Sequence, residues 1–224
     1  MSAPLALIAH DLKNGLGSLV AMLARLADEA AAAPHTGAEH AHHAAEAHAQ
    51  GQELLQQFVQ FLTLYGAQQG QLQALCEDED PGALLQSLLT RWRGRLAREG
   101  RAVQVLAEPA VLPPAFWYFD RRLVTLALDA AMHNASRFAR GHIWVGVQQA
   151  ADGLQFTVRD DGPGLGQGET DAHLSTHLST HMSTHLGQAL AQAVAQAHVL
   201  QGVAGQAHLH NHPQGGAEFR LTLP

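Results

Sequence analysis

The first part of the chain carries apolar side chains at steps of three and four, which is the period of an α-helix. Pro34 and Gly37 interrupt this pattern, and a second helix is predicted from about Ala38 to Tyr65. Two amphipathic helices joined by a short turn cannot cover their own apolar stripes. We therefore expect a hairpin that pairs with a second copy, as a four-helix bundle in a homodimer. The first stripe consists of Leu5, Ile8, Leu12, Leu16, Leu19, Leu23 and Leu26.

The pattern changes after Gly66, where a Gln-rich and acidic connector runs to Pro81-Gly82. Beyond it, stretches of helical period alternate with β-branched stretches of period two, and the class predicted is α+β, a helical hairpin followed by an α/β sandwich. We place the boundary near residues 70 to 80, giving domains 1–72 and 73–224. The predicted helices cover residues 84–92, 120–138 and 186–200, and the predicted strands cover 103–108, 142–149, 154–162 and 217–224.

The amino-acid composition excludes several classes of function. The chain is 46% hydrophobic and 15% charged, so it can bury a core. Its net charge of -7, with no block of basic residues, argues against a general nucleic-acid binder. The single cysteine, Cys76, allows no internal disulfide and fits a reducing compartment. Without a run of about 20 apolar residues or a signal peptide, we expect a cytoplasmic protein with no membrane span.

The stretch LIAHDLKNGLG near the start places polar residues inside an apolar run. On a helix, His10, Lys13 and Asn14 share one face because they lie at i, i+3 and i+4. The adjacent Asp11 would orient the imidazole and stabilise positive charge on it, which favours a nucleophilic histidine. A solvated polar face with no chemistry explains this segment equally well when it is considered alone.

HDLKNGL resembles the phosphoacceptor box of sensor histidine kinases. The resemblance implies that His10 accepts a phosphoryl group, that Asp11 acts as a base, and that Asn14 helps to place water for dephosphorylating a partner. Gly15 stands where the family usually has proline, which leaves the chemistry untouched.

LDAAMHNASRFA is similar to the asparagine box of the same family. The resemblance implies that Asn134 is a magnesium ligand and that Arg137 lies near the phosphates of ATP. An oxygen ligand suits the hard Mg²⁺ cation that bridges triphosphate oxygens. Ala130 stands where the family usually has another asparagine, one turn earlier.

VRDDGPGLG resembles the Asp-x-Gly-x-Gly box of these kinases, although Asp, Gly and Pro together are also typical of an ordinary tight turn. The resemblance implies that Asp160 accepts a hydrogen bond from the adenine amino group. Gly162 and Gly164 would let the backbone approach the nucleotide without a Cβ in the way. HLGQALAQAVAQAHVLQG resembles the second glycine box, with Gly187 at one of its glycines and, we expect, a helix N-terminus that holds phosphates.

Sixteen histidines are an unusual number, and several lie in the repeat HLSTHLSTHMSTHLG. If this repeat is helical, His173, His177, His181 and His185 form one column, and pairs at i, i+4 can ligate zinc, nickel or copper. A low-complexity segment with solvated histidines is the alternative. A structural metal-binding protein is therefore a third hypothesis, but it accounts for only a small part of the chain.

The resemblance covers nearly the whole chain, from Leu5 to Pro224, with the motifs in the family's order. It implies a dimeric histidine kinase with an ATPase domain of the Bergerat type, which uses Mg-ATP to phosphorylate His10. The phosphoryl group would then pass to an aspartate on a response regulator receiver domain. The partners implied are a response regulator and an upstream sensor protein. Three features favour the competing hypothesis, a phosphotransfer protein or regulator phosphatase that does not use ATP: no sensor domain precedes His10, Ala130 replaces an asparagine, and the second glycine box is altered.

Overall fold

The computed structural model describes residues 37–108, 113–165 and 177–224, together with four residues of the first predicted helix. The backbone alone is described for residues 37–42, 44–46, 48–50, 52–55 and 177–185. The chain divides into two compact units, Met1–Tyr65 and Gly66–Pro224. The four described residues of the first helix, all helical, are Gly15, Ser18, Leu19 and Met22, and the predicted site residues outside the described ranges are His10, Asp11 and Asn14.

Helix α1 spans Gly37–Gln68 and confirms the second predicted helix, which extends slightly into the predicted connector. Its C-terminal half presents large apolar side chains to solvent, including Phe58 at 44% exposure and Leu62 at 49%. The ring of Phe61 lies between those of Phe58 and Tyr65, with centroids 6.5 and 6.2 Å away. An apolar stripe of this kind on a helix is typical of a surface that pairs with another chain.

The second unit consists of helices and strands in mixed order. In chain order its elements are β1 (Glu77–Glu79), α2 (Pro81–Arg98), β2 (Gln104–Ala107), β3 (Trp117–Phe119), α3 (Arg121–Phe138), β4 (His142–Ala150), β5 (Gly153–Asp160), α4 (His177–Ala197), β6 (Val199–Leu200), β7 (Val203–Ala204), β8 (Gln206–Asn211) and β9 (Ala217–Leu223).

Five of these strands form a mixed sheet with the order β2-β4-β5-β9-β8. Strand β2 runs parallel to β4, and the other neighbouring pairs are antiparallel. Two further pairs, β1 with β3 and β6 with β7, form small antiparallel sheets. The α+β prediction is confirmed.

Helices α2, α3 and α4 contact the strands of the large sheet and enclose an apolar core. The predicted strands 142–149 and 154–162 correspond to β4 and β5, which form a β-hairpin with Val145 opposite Val158 and Val147 opposite Phe156. Phe156 meets Phe119 edge to face at 6.0 Å between ring centroids. The apolar residues that predicted α2 are all buried: Leu84, Leu85, Leu88, Leu89 and Trp92.

Helix α4 ends at Ala197, so the expectation that it runs to Leu200 is wrong. The cause is His198, whose buried ring makes two hydrogen bonds. Its Nδ1 donates to the Val194 carbonyl at 2.8 Å, and its Nε2 accepts from the amide of Asp120 at 3.0 Å. Burial lowers the pKa of His198, in keeping with a neutral ring in this arrangement. The end of helix α4 therefore depends on a contact with Asp120, which is far away in the sequence.

Asp120 connects three parts of the second unit. It caps α3 at the N-terminus, and its Oδ2 accepts hydrogen bonds from the Leu75 amide at 2.9 Å and the Arg122 guanidinium at 3.0 Å. Burial alone would raise the pKa of Asp120, but these hydrogen bonds outweigh it and lower the pKa. Because its own amide binds His198, Asp120 fixes the start of α3 relative to the end of α4.

No helix in the described part of the chain has both the length and the apolar character that a membrane crossing requires.

Candidate functional site

A cavity open to solvent lies between α3, α4 and the face of the large sheet that these helices cover. Its empty volume is about 430 Å³ when the space open to solvent is included. Three of the predicted site residues, Asn134, Asp160 and Gly187, line it together. The other lining residues are Ala130, Ala131, Ala135, Val158, Gln188, Leu209, Ala217 and Phe219.

Helix α3 contributes one face to this cavity. Ala130 and Asn134 lie one helical turn apart on that face, and both line the cavity. A Cβ on Gly187 would lie 3.7 Å from the Cβ of Ala130, an ordinary contact, so α3 and α4 approach closely at this point. Arg137 is partly exposed in the last turn of α3 and is not among the residues that line the cavity.

Asp160 ends β5 and is only 4% exposed. Its Oδ1 accepts hydrogen bonds from the amides of Gly162 at 2.8 Å and Ala217 at 3.3 Å. Burial raises the pKa of Asp160 despite these two hydrogen bonds, and the neighbouring charge of Asp161 raises it further. Both hydrogen bonds that the described residues donate to this carboxyl group fall on Oδ1.

The neighbouring Asp161 binds backbone amides, a role that was not predicted from the sequence. Its Oδ1 accepts from the amides of Arg140 at 2.7 Å and Gly141 at 3.0 Å, and its Oδ2 accepts from the amide of His142 at 3.0 Å. Although burial opposes ionisation, these hydrogen bonds lower the pKa of Asp161 to about 2. The carboxylate thus ties the turn after α3 to the loop after β5. The β4–β5 register, with Ile143 opposite Asp160, was the signal that could have placed it there.

The two glycines of the loop are required by contacts within the chain. Gly164 has φ +83°, and a Cβ there would lie 2.6 Å from the Oδ1 of Asn211. A Cβ on Gly162 would lie 2.6 Å from the carbonyl oxygen of Phe138. Neither position can accept a side chain without displacing a neighbour, so the loop is shaped by the protein itself before any nucleotide is considered.

Gly187 lies inside helix α4, which begins at His177, so the expected helix N-terminus at Gly187 is wrong. The histidine repeat has a period of four, which is compatible with a helix, and the helix begins within it. The amide of Gly187 is therefore not among the free amides of a first turn. Gly187 and Gln188 contribute to the site as lining residues instead.

The histidine column is helical from His177 through His181 and His185, and His173 lies outside the described residues. Within the described ranges there is no group of three or more His, Cys, Asp or Glu residues that could hold a metal ion.

Strands β8 and β9 form one wall of the cavity, which was not predicted from the sequence. Leu209 of β8 is paired with Phe219 of β9, and both line the cavity together with Ala217. Strand β8 was not predicted, so its contribution could not be anticipated from the pattern.

Comparison with known proteins identifies the class of this domain. The family described as "Histidine kinase-, DNA gyrase B-, and HSP90-like ATPase" matches residues 119–224. This stretch contains the cavity, so the second unit is an ATPase-type domain of that class, a class that implies ATP binding.

Relatives extend the comparison beyond this domain. The chain is 31% identical over 130 residues to the sensor histidine kinase component HK1 of Mycobacterium tuberculosis, a match covering 58% of this chain and 75% of that protein. The Acinetobacter baumannii histidine kinase AdeS has the same fold, with a TM-score of 0.65, 19% identity and 96% coverage of both chains. Full-length ShkA in complex with AMPPNP gives a TM-score of 0.59 at 18% identity, covering 97% of this chain and 45% of that one. The chain therefore belongs to the sensor histidine kinase family.

Proposed function

We propose that this protein is an ATP-dependent protein-histidine kinase of a two-component system. It would bind Mg-ATP in the cavity, phosphorylate His10, and pass the phosphoryl group to an aspartate on a response regulator receiver domain. The observation that carries the proposal is the meeting of Asn134 and Asp160, from separate motifs, in the lining of one cavity that is open to solvent.

The residues around the cavity fit the parts of the nucleotide. Val158, Leu209 and Phe219 supply apolar surface suited to a flat base, and Asp160 supplies an acceptor for the adenine amino group. The amide oxygen of Asn134 would hold Mg²⁺, whose role is to neutralise charge on the phosphates. Arg137, one turn further along α3, is the cation we assign to the phosphate oxygens.

At the acceptor, the transfer forms a bond between an imidazole nitrogen of His10 and phosphorus, and ADP leaves. Asp11 takes up the proton that the imidazole must lose and keeps the ring oriented. When the signal is switched off, Asn14 would position a water molecule that hydrolyses the phosphorylated aspartate of the regulator. These roles rest on the resemblance of HDLKNGL to the phosphoacceptor box.

One observation favours a second candidate, a phosphotransfer protein or regulator phosphatase that does not use ATP. Ala130 lines the cavity one turn before Asn134 and offers no atom to a metal or a phosphate. The missing ligand would weaken the hold on Mg²⁺ if no other group replaced it.

Calorimetric titration of the intact protein with ATP separates the two candidates. The kinase proposal predicts binding with Mg²⁺ at a dissociation constant between about 1 μM and 1 mM, the usual range for enzyme substrates, and weaker binding in EDTA. ADP serves as the control that lacks the transferred phosphate. No heat of binding at millimolar Mg-ATP would favour the phosphotransfer candidate.

We also propose that the kinase is a homodimer joined through its helical hairpin. The exposed apolar residues of α1, among them Phe58, Val59, Leu62 and Tyr65, support this proposal because burying them favours association. Sedimentation equilibrium of the intact chain should give twice the monomer mass of 23.9 kDa. A stable monomer at tens of micromolar protein would contradict the dimer.

A further inference from the structure

The turn between β8 and β9 lies directly against the loop that follows Asp160. The amide of Ala217 donates to Asp160 Oδ1 at 3.3 Å. Gly216 has φ +81°, and a Cβ there would lie 1.8 Å from the carbonyl oxygen of Asp160. Because only glycine permits this approach, the turn and the loop form one packed unit at the edge of the cavity.

Asn211, the last residue of β8, reaches the same loop through its side chain. Its Oδ1 accepts a hydrogen bond from the Leu165 amide, and its Nδ2 donates to the Leu165 carbonyl at 3.2 Å. One side-chain amide thus satisfies both backbone groups of a single residue, as a neighbouring strand would. The same Oδ1 sits where a side chain on Gly164 would have to be.

The turn itself does not depend on this side chain. It is closed by backbone hydrogen bonds from the His212 amide to the Gly216 carbonyl at 3.0 Å and from the Gly215 amide to the His212 carbonyl at 2.9 Å. The backbone of Asn211 pairs with Ala217 in the sheet. Since β8 and the turn are held by their own backbones, the contact of the Asn211 side chain with Leu165 serves the loop.

We infer that Asn211 is a positioning residue for the nucleotide-binding loop Asp160–Leu165, an inference that rests on the proposed binding of ATP at this cavity. Asn211 holds Gly164 and Leu165 in place before a ligand arrives, so that binding does not have to order them. Fixing a residue's backbone has an entropic cost, and an already ordered loop spares the ligand that cost. Asn211 does not line the cavity, so it acts through the loop and not by touching the nucleotide.

The test compares Asn211→Ala with Gln206→Ala in the intact protein. Gln206 lies at the other end of β8, is exposed like Asn211, and makes its side-chain contact with His208, away from the loop. Both variants lose a side-chain amide from the same strand, so a general effect on β8 should appear in both. The readouts are Mg-ATP affinity by calorimetry, thermal unfolding, and hydrogen exchange at the Leu165 amide.

We expect Asn211→Ala to bind Mg-ATP roughly five- to tenfold more weakly than the wild type, since binding must now bear part of the entropic cost of ordering the loop. Exchange at the Leu165 amide should be faster in this variant, whereas Gln206→Ala should match the wild type in both respects. Asn211→Asp keeps the acceptor for the Leu165 amide and loses the donor, so its exchange rate should be intermediate. The unfolding temperatures of the two alanine variants should agree.

Equal Mg-ATP affinity in Asn211→Ala and Gln206→Ala would overturn the inference while leaving ATP binding intact. An affinity loss accompanied by an equal loss of overall stability, with no local change at Leu165, would show a merely structural residue and would also overturn it. If the wild-type protein bound no Mg-ATP, the proposed function would fail first, and the role of Asn211 in nucleotide binding would fall with it.

Discussion

Asp160→Asn should bind Mg-ATP at least about tenfold more weakly than the wild type, because a buried acceptor is replaced by a donor. The amides of Gly162 and Ala217 both donate to Oδ1, so the remaining oxygen of the asparagine must stay at that position. The new NH₂ group then takes the place of Oδ2 and faces the adenine amino group, donor against donor. An unpaired donor of this kind costs about 1–3 kcal/mol.

The same geometry predicts a change in base preference. Inosine triphosphate carries a carbonyl where adenine has its amino group, so the asparagine NH₂ could donate to it. The ratio of ATP to inosine triphosphate affinity should therefore fall in Asp160→Asn and stay unchanged in Asp152→Asn. Asp152 is a suitable control because it lies exposed in the turn between β4 and β5. Unchanged ATP affinity in Asp160→Asn would remove this residue from the proposed nucleotide site.

The parts of the fold that could be predicted from the sequence are those stabilised by local patterns. Helix α2 repeats leucine at helical spacing, and every residue used to predict it is buried. The β4–β5 hairpin joins two segments of alternating pattern through a short turn, and both strands were predicted from that pattern. In such segments the period of the apolar residues and the buried face carry the same information.

The elements that were missed depend on partners far away in the chain. Strands β1 and β3 have three residues each and pair with one another, although the whole of α2 and β2 lies between them in the chain. Strand β8 contains only two apolar residues among its six, and it pairs with β9 in the large sheet. Helix α4 ends where the ring of His198 meets the amide of Asp120. No local pattern contains these contacts, and this is why the helix was extended too far.

The residues of the candidate site also fall into those that local motifs predicted and those that only distant contacts reveal. Motif resemblance pointed to Asn134 and Asp160, and the structure brings both to one cavity. The spacing of the Asp-x-Gly-x-Gly motif selected Asp160 over its neighbour, but it gave no role to Asp161, whose carboxylate binds the backbone amides of the α3–β4 turn. It also could not find Asn211, because that residue contacts the loop from a strand that no pattern predicted. Short motifs indicate the chemistry, and contacts between distant parts of the chain reveal the residues that hold the motif in place.

His10→Gln should lose all of the acid-labile label that the wild type acquires from γ-labelled ATP. A phosphoryl group on an imidazole nitrogen is lost in acid, whereas one on serine or threonine is retained, so acid treatment identifies the kind of acceptor. Glutamine is close to histidine in polarity but has no nucleophilic nitrogen, so transfer should stop without disturbing the helix face. His208→Gln is the matched control, because His208 is exposed on β8 and its ring forms a hydrogen bond with Gln206 at 3.1 Å, on the same strand.

Asn14→Ala separates the acceptor from the residue proposed to position water. The imidazole and its neighbour Asp11 remain intact in this variant, so labelling of His10 should persist. Dephosphorylation of the regulator should slow instead, since the amide would place the attacking water. If the protein does not use ATP, a phosphorylated regulator should supply the label, and His10→Gln should still abolish it. Label that persists in His10→Gln would assign the acceptor to one of the other fifteen histidines. The polar face of LIAHDLKNGLG would then be a solvated helix surface without chemistry.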